Sequence, residues 1–288
     1  ILYIMTPRLE ILDISTAIGC TLQCKGCNHF SNYFHPSSKI DTDDLIRDIK
    51  TILPRIDLGR ASVIGGEPLL NPRCEEIFRT CLEYASGDVY LYTNGELLEG
   101  KDWIYDILEH PKVYLRVSLH LPETTERGKR IIDTVQRFAS KTKYDWLVGP
   151  APNQPWKLRI TEHHNHKDRW FDSIKKRGDK VHPYNQGNIQ KSFNWCSCPN
   201  AQLYNGKLWK CPNTAFMREL LYVHDQSDDE EWKEYLVDGV PVGCSDEELI
   251  KFCNNSRVPE NVCNMCNSRP LHFSAAQQHK SKRKVILS

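Results

Sequence analysis

The segment that decides the fold is LEILDISTAIGCTLQCKGCNHF, residues 9–30. It begins with a short apolar run typical of a buried β-strand and leads directly into Cys20, Cys24 and Cys27, spaced as C-x3-C-x2-C. This spacing brings three thiolates onto one tight loop, where they can ligate a single inorganic cluster. A four-iron cluster needs a ligand for each iron, so three cysteines leave one iron open to another group. The loop is therefore the strongest indication that the protein is an enzyme.

Zinc and disulfides are the structural alternatives for this loop. A C-x2-C pair often binds zinc, although structural zinc sites usually have two separated pairs. The 12 cysteines could form bridges in a secreted protein, but the first residues, ILYIMTPRLE, show no signal peptide. A chain of 288 residues also builds a core without needing disulfides. We therefore favour an iron–sulfur site.

The composition is that of an ordinary globular protein. Hydrophobic residues make up 40% and charged residues 26% of the chain. The net charge of +1 gives no overall field that would favour a nucleic acid or a membrane surface as a partner. No apolar stretch approaches the length needed to cross a bilayer. We expect a location in the reducing cytoplasm.

Strand-like and helix-like segments alternate from residue 9 to about 176. Such alternation predicts an α/β fold with a parallel sheet and right-handed crossovers, either open or curled into a barrel. The functional loops of these sheets lie beyond the carboxyl ends of the strands, which is where the cysteine loop stands. The predicted strands are residues 9–15, 61–64, 88–93, 112–119 and 156–162, and the last predicted helix lies in residues 167–178.

The pattern changes after about residue 185. Cysteines become frequent, strands become short, and Asn205-Gly206 marks a β-hairpin turn. We therefore predict a division into residues 1–190 and a smaller cysteine-rich unit, residues 191–288.

Four motifs together resemble the radical SAM superfamily. The C-x3-C-x2-C loop matches its signature, and Gly65-Gly66-Glu67-Pro68, at the end of the second predicted strand, matches its GGEP element. Asn94 lies in a Thr-Asn-Gly segment that ends the third strand, and Ser118 lies where members often place a ribose-contacting serine. The motifs cover residues 9 to about 120, in the right order and at the ends of successive strands. Each is weak alone, and four in register are strong.

The resemblance implies a partial (β/α)6 TIM-like barrel that binds S-adenosylmethionine (SAM) and a [4Fe–4S] cluster held by three cysteines plus SAM. It implies reductive cleavage of SAM to a 5′-deoxyadenosyl radical, which abstracts a hydrogen atom, and a low-potential electron donor such as flavodoxin or ferredoxin. Glu67 would accept hydrogen bonds from the SAM amino group. The superfamily usually has an aromatic residue directly before the last cysteine, whereas this chain has Gly26. Phe30 is expected to pack on the adenine instead. The residues implied to bind SAM are Gly65, Gly66, Glu67, Pro68, Asn94, Ser118 and Phe30.

The later cysteines are similar to those of the half-SPASM, or twitch, domain. A C-x9-G-x4-C element followed by C-x2-C would supply four thiolates to an auxiliary [4Fe–4S] cluster, and a zinc ribbon is the alternative. Cys198 fits the first position as well as Cys196, so that choice stays open. The ligands implied in this way are Cys196 or Cys198, Cys211, Cys263 and Cys266.

Several further residues could bear on the chemistry. Cys244 and Cys253 fit neither cluster and are core thiols, substitute ligands or hydrogen-atom donors. Cys74 and Cys81 are expected to pack beside a helix. His120 follows the strand that bears Ser118 and is expected to face the cavity as a substrate contact or catalytic base.

We predict a radical SAM oxidoreductase that acts on a small polar or sugar-like substrate by dehydrogenation. Peptide-modifying members often carry a leader-binding domain before the barrel, whereas this barrel is expected to begin near residue 9. Modification of a ribosomally made peptide, by crosslinking or epimerisation, is the alternative. A zinc-binding interaction protein on a degenerate barrel is a third possibility, against which the intact GGEP element and cysteine triplet argue.

Overall fold

The computed structural model describes residues 6–148, 156–163, 170–196, 200–273, 277 and 286–287. Its strands are β1 Arg8–Ser15, β2 Asp57–Ile64, β3 Asp88–Thr93, β4 Val113–Leu119, β5 Trp146–Val148, β6 Leu158–Glu162, β7 Lys175–Arg177, β8 Lys180–His182, β9 Ala201–Tyr204, β10 Lys207–Trp209 and β11 Val240–Pro241. Its α-helices are α1 Thr42–Ile52, α2 Cys74–Tyr84, α3 Trp103–Leu108, α4 Glu126–Ser140, α5 Ile189–Asn194, α6 Pro212–Val223 and α7 Asp246–Asn255.

Nine of these strands form one sheet in the order β11-β10-β9-β1-β2-β3-β4-β6-β5. The strands from β9 to β5 in this order are parallel, and β10 and β11 add an antiparallel edge. Parallel neighbours need crossover connections, which α1, α2, α3 and α4 supply. The α/β class with a mostly parallel sheet is confirmed, while closure into a partial barrel stays a prediction.

Helices α1 to α4 lie between successive strands, as the alternation predicted, and cover one face of the sheet. Helix α1 begins after Asp41, whose side chain accepts a hydrogen bond from the Asp44 amide at 3.0 Å. Its apolar stripe, Leu45, Ile49 and Ile52, is buried in the main core with the apolar residues of β1 to β4. The opposite face of the sheet carries polar and aromatic side chains, and it faces the functional site.

Two sequence predictions differ from the structure. Strand β5 was not predicted, and it pairs parallel to β6 at the edge of the sheet. The helix predicted within residues 167–178 is wrong over its described part, because Lys175–Arg177 pairs instead with Lys180–His182 as a hairpin. The turn between them contains Gly178, whose φ of 61° suits a two-residue hairpin loop. The Gly-Asp turn signal outweighs the charged run that resembled a helix face.

The described residues after 185 extend the same sheet. The hairpin at Asn205-Gly206 is confirmed: both residues have positive φ, and Tyr204 pairs with Lys207. A second core unites α6 with the segment after the cysteine loop, including Phe30, Phe34 and Phe216. The division at residue 190 stays a prediction. Within the described chain, no helix combines the length and apolarity that crossing a membrane requires.

Candidate functional site

The cysteine loop lies at the carboxyl end of β1 and forms one wall of a cavity of about 340 Å³. Cys20, Cys24 and Cys27 all line this cavity, which extends over the carboxyl ends of β2, β3 and β4. In the described residues, no three His, Cys, Asp or Glu side chains converge on the position of one metal ion. The three thiols therefore line one cavity without meeting at the position of a single ion.

The surroundings of the thiols suit an iron–sulfur cluster. Burial raises the pKa of Cys20 and of Cys27, because a thiolate without a cation is unfavourable there. The Cys20 sulfur accepts hydrogen bonds from the Leu22 amide at 3.4 Å and from the Asn94 side chain at 3.7 Å. Bound iron compensates thiolate charge, and N–H groups directed at sulfur are a known means of tuning such clusters. The donor set therefore fits the cluster that the sequence implied.

Contacts from distant elements hold the loop in place. The Asn94 side chain donates to Thr21 Oγ1 at 3.0 Å. Arg127 on α4 forms a bidentate pair with Glu96, with both contacts at 2.8 Å, and donates to the Thr21 carbonyl at 2.6 Å. A guanidinium bound in this bidentate way fixes direction as well as charge. The loop is thus tied to the end of β3 and to α4.

Gly65 and Gly66 line the cavity and pack directly on the chain that leads into the cysteine loop. The Gly66 amide donates to the Ala17 carbonyl at 2.7 Å, and a Cβ at Gly66 would lie 2.0 Å from the Gly19 carbonyl oxygen. Only glycine allows two backbones to approach so closely. The backbone of this segment lines the cavity, which fits the SAM-binding role that the sequence implied.

Glu67 and Pro68 do not line this cavity. The Glu67 side chain is fully buried, and its carboxylate accepts hydrogen bonds from the Thr93 hydroxyl at 2.7 Å, the Asn94 amide at 2.8 Å and the Leu69 amide at 3.2 Å. Burial raises its pKa to about 7. These contacts make Glu67 a brace between the ends of β2 and β3, whereas the sequence implied a contact with the SAM ammonium group. Pro68 is buried at the start of a short 3-10 turn, Pro68–Leu70.

Asn94, Ser118 and His120 all line the cavity, and their roles toward SAM and the substrate stay predictions. The His120 ring stacks on that of His163, with 5.2 Å between centroids, and meets Trp170 edge-on at 5.4 Å. Both of these neighbours also line the cavity. His164 and His166, which share the loop with His163 in the sequence, lie outside the described residues.

Phe30 does not lie on the cavity. Its ring is buried in the second core, and its φ of 54° turns the chain away at that point. Gly26, where an aromatic residue was expected, has a φ of 73°, and a Cβ there would lie 2.7 Å from the Phe273 ring and 2.9 Å from the Phe171 carbonyl. A side chain at this position is therefore excluded. We correct the expectation that Phe30 replaces the missing aromatic ring.

The sequence did not single out several residues that line the cavity. Asp13, Arg60 and Tyr92 project from the inner face of β1, β2 and β3, and His29 and Asn200 come from adjoining loops. Burial lowers the pKa of His29. The available signal was the alternation of polar with apolar residues along the strands, such as Asp13 with Ser15 and Arg60 with Ser62. An α/β sheet covered on both faces gives apolar runs, so these polar positions mark the functional face.

The C-terminal cysteines converge around a second, small space. Cys196, Cys211, Cys263 and Cys266 all line a cavity of about 30 Å³. Cys211 caps α6, and the Asn213 side chain donates to the Cys266 sulfur at 3.1 Å. Burial raises the pKa of Cys211 and of Cys266. The donor set and the amide directed at sulfur fit an auxiliary cluster. Cys198 lies outside the described residues, so its claim as a ligand stays open.

A third cavity, of about 330 Å³, joins the two cysteine sites. Cys196, Cys211 and Cys266 line it on one side, and it shares Asn28, His163 and Trp170 with the cavity at the cysteine loop. The third cavity therefore adjoins both cysteine sites, and three side chains lie between it and the cavity at the cysteine loop.

The remaining cysteines are packing residues in the main core. Cys74, Cys81, Cys244 and Cys253 are buried there. Burial raises the pKa of Cys253 to about 11, which keeps this thiol protonated. None of the four lines the cavity at the cysteine loop.

Comparisons with known proteins bear on the N-terminal part. The sequence profile of the radical SAM superfamily matches residues 14–146. A GTP 3′,8-cyclase of Microcystis aeruginosa (strain NIES-843 / IAM M-2473) is 28% identical over 96 residues, which are 32% of this chain and 29% of the cyclase. The chain thus spans less than a third of that relative's length.

Two solved structures show a distant similarity. BtrN in complex with AdoMet and 2-DOIA has a TM-score of 0.45 and 16% identity, over 90% of this chain and 93% of that chain. The enzyme anSMEcpe with bound AdoMet and a Cp18Cys peptide has a TM-score of 0.36 and 17% identity, over 66% and 59%. Neither similarity is close enough to assign a subclass. The match over residues 14–146, which contains the cysteine loop and the cavity ends of β1 to β4, shows that this part of the chain is similar to the radical SAM superfamily, whose members hold SAM and a [4Fe–4S] cluster.

Proposed function

We propose that the chain is a radical SAM oxidoreductase of the twitch type that dehydrogenates a small polar or sugar-like substrate. The observation that carries this proposal is the pair of adjoining cavities, one lined by Cys20, Cys24 and Cys27 and the other by Cys196, Cys211 and Cys266. A volume of about 340 Å³ is in the range of sites for small molecules.

The residues have distinct roles in this proposal. Cys20, Cys24 and Cys27 hold the first cluster, and the Gly65-Gly66 backbone with Asn94 and Ser118 holds SAM. When bound, these groups supply a 5′-deoxyadenosyl radical that removes a hydrogen atom, and an auxiliary cluster offers a site for the second electron. Cys211, Cys263 and Cys266, with Cys196 or Cys198, hold that auxiliary cluster.

Oxidation of an alcohol to a ketone also releases a proton. His120 lines the cavity and stacks on His163, so one of its ring nitrogens can hold that proton. Trp170 and His163 line both cavities and so lie between the two sites. A low-potential donor such as flavodoxin or ferredoxin supplies the first electron.

The test is anaerobic purification and reconstitution, followed by measurement of iron, zinc and 5′-deoxyadenosine release with dithionite and SAM. We expect about eight irons per chain. The double variant Cys263→Ala/Cys266→Ala should lose about half the iron and still cleave SAM. Cys81→Ala, which changes a buried packing thiol, is the matched control and should keep all the iron.

Stoichiometric zinc without SAM cleavage would contradict the proposal and favour a zinc-binding interaction protein. If the substrate is sugar-like, a screen of polyols and amino sugars should give a product two hydrogens lighter. A product formed from a ribosomally made peptide in place of these compounds would transfer the activity to the peptide-modifying alternative.

A further inference from the structure

We propose that the cavity contains a subsite for an anionic group of the substrate, a carboxylate or a phosphate, and that Arg60 binds this group. The inference rests on the function proposed above, because it concerns the substrate of that site. Neither the motifs nor the cysteine ligands indicate whether the substrate carries an anionic group.

Arg60 lies deep in the cavity. It is on β2, four residues before Ile64, and both residues line the cavity, as expected for positions of equal parity on a strand. Four residues of strand span about 13 Å, so Arg60 lies well below the Gly65-Gly66 segment that holds SAM. A substrate that reaches the floor of the cavity beneath SAM would meet this side chain.

Aromatic rings hold the Arg60 guanidinium in position. Its central carbon lies 4.9 Å from the centroid of the Tyr90 ring and 5.9 Å from that of Tyr92. Those two rings stack on each other with 6.2 Å between centroids. Contact with ring faces orients a guanidinium while leaving its in-plane N–H groups for hydrogen bonds. The Arg60 guanidinium is therefore oriented to donate hydrogen bonds to a carboxylate or a phosphate.

Arg60 has no polar partner within the described part of the chain. Its side chain takes part in no salt bridge or hydrogen bond there, and its Nε is buried. The inward-facing Arg116 differs, because it donates to the carbonyls of Leu115 and Trp156. A buried N–H without an acceptor is unfavourable, so a ligand that supplies one is favoured.

The carboxylate on the same surface forms no salt bridge with Arg60 among the described residues. Asp13 is the one acidic residue among the described residues that line the cavity. Its Oδ2 accepts from the side chains of Asn200 at 3.2 Å and Gln202 at 3.0 Å. Two amides thus engage Asp13, and the N–H groups of Arg60 are left for a ligand. Arg60 thereby differs from Arg127, which is paired with Glu96.

The test is calorimetric titration of the reconstituted, SAM-bound protein with three ring-matched probes: glucose, glucuronate and glucose 6-phosphate. We expect one of the two anions to bind at least tenfold more tightly than glucose, and the one that does identifies a carboxylate or a phosphate as the natural group. Arg60→Gln should weaken that binding at least tenfold, and Arg60→Lys should restore part of it. Arg159→Gln is the matched control, because Arg159 has an unpartnered Nε yet lies outside the cavity.

Equal binding of glucose and both anions, no anion binding, or an unchanged Arg60→Gln variant would overturn the subsite. An equal loss in Arg159→Gln would also overturn it, since a general positive field would then explain the binding. Iron content and substrate-free SAM cleavage of Arg60→Gln show whether the variant is folded and loaded. If wild-type protein cleaves SAM and fails the anion test, the subsite fails and the proposed function stands. If it does not cleave SAM, the proposed function itself fails.

Discussion

The two cysteine sites of this protein are assembled from very different lengths of chain. Cys20, Cys24 and Cys27 lie on one loop directly after β1, whereas Cys196, Cys211, Cys263 and Cys266 come from segments between α5 and the end of the described C-terminal region. The first site needs one strand to present its loop. The second exists only when α5, α6 and the turn Asn261–Met265 pack together.

The difference shows in the contacts that stabilise each site. The first loop is braced from outside, by Gly66, Asn94 and Arg127, and its own sequence sets the spacing of its thiols. In the second site the Ser192 hydroxyl donates to the Cys266 carbonyl, which ties α5 to the last cysteine. A local site thus depends on its supports for orientation, whereas a site assembled from distant segments depends on them for its existence.

Breaking the brace at Gly66 should have the largest effect. In Gly66→Ala the added Cβ would lie 2.0 Å from the Gly19 carbonyl oxygen, so the backbone must move. We expect a loss of about 3 kcal/mol in the free energy of unfolding, with the iron of the first site lost and that of the second retained. Denaturant unfolding and iron analysis measure both effects.

Gly243→Ala is the matched control, because nothing lies within 4 Å of a Cβ there, and it should leave stability and iron unchanged. If Gly66→Ala lost the iron of both sites equally, the independence of the two sites would be disproved.

The buried Glu67 carboxylate, which joins the ends of β2 and β3, gives the stability of the protein a pH dependence. Its pKa is raised from 4.5 to about 7, so the unfolded chain releases this proton at a lower pH than the folded protein. Its contribution to stability therefore falls as pH rises from about 4.5 to 7 and is constant above, a change of about 3 kcal/mol. Glu67→Gln lacks the titrating group.

The stability difference, wild type minus Glu67→Gln, should decrease across this window, as urea unfolding at a series of pH values would show. A difference that stays constant with pH would mean that the carboxylate is ionised throughout. Glu67 would then contribute to the free energy of unfolding through its hydrogen bonds alone.

The smallest expected effect compares the asparagines that donate to sulfur in the two sites. The Asn213 side chain lies 3.1 Å from the Cys266 sulfur, and that of Asn94 lies 3.7 Å from the Cys20 sulfur. Hydrogen bonds to sulfur stabilise the reduced state of a cluster, so Asn213→Leu should lower the auxiliary potential by tens of millivolts. Redox titration followed by electron paramagnetic resonance would measure it.

In that titration the potential of the first cluster is the internal control and should not change. A shift of both potentials in Asn213→Leu would show that the two sites share their electrostatic surroundings and are less separate than the geometry indicates.

The strands and the first site could be predicted from sequence because their signals are local. Apolar periodicity located β1 to β4 and α1 to α4, and the spacing of three cysteines located the site. The hairpin Lys175–His182 could not be found in this way, since a charged run on an exposed hairpin has the composition of a helix face. Strand β5, with three residues, is too short to give a period.

The roles of Glu67 and Phe30 show where motifs are insufficient. Both residues lie at the expected place in the chain, yet one side chain turns under the loop and the other into the second core. A motif specifies position along the backbone, whereas the direction of a side chain depends on the partners that packing supplies. Arg60 was missed for the converse reason, because no motif contains it.

The amino-acid sequence by itself determined the α/β class, the cysteine loop and the similarity to the radical SAM superfamily, because period and spacing act over a few residues. The tertiary structure decided which polar side chains share the cavity, how four distant cysteines meet, and that the arginine described in the cavity has no polar partner there. Those outcomes depend on strand register and long-range packing, which bring together residues that are far apart along the chain. No local sequence pattern predicts such contacts.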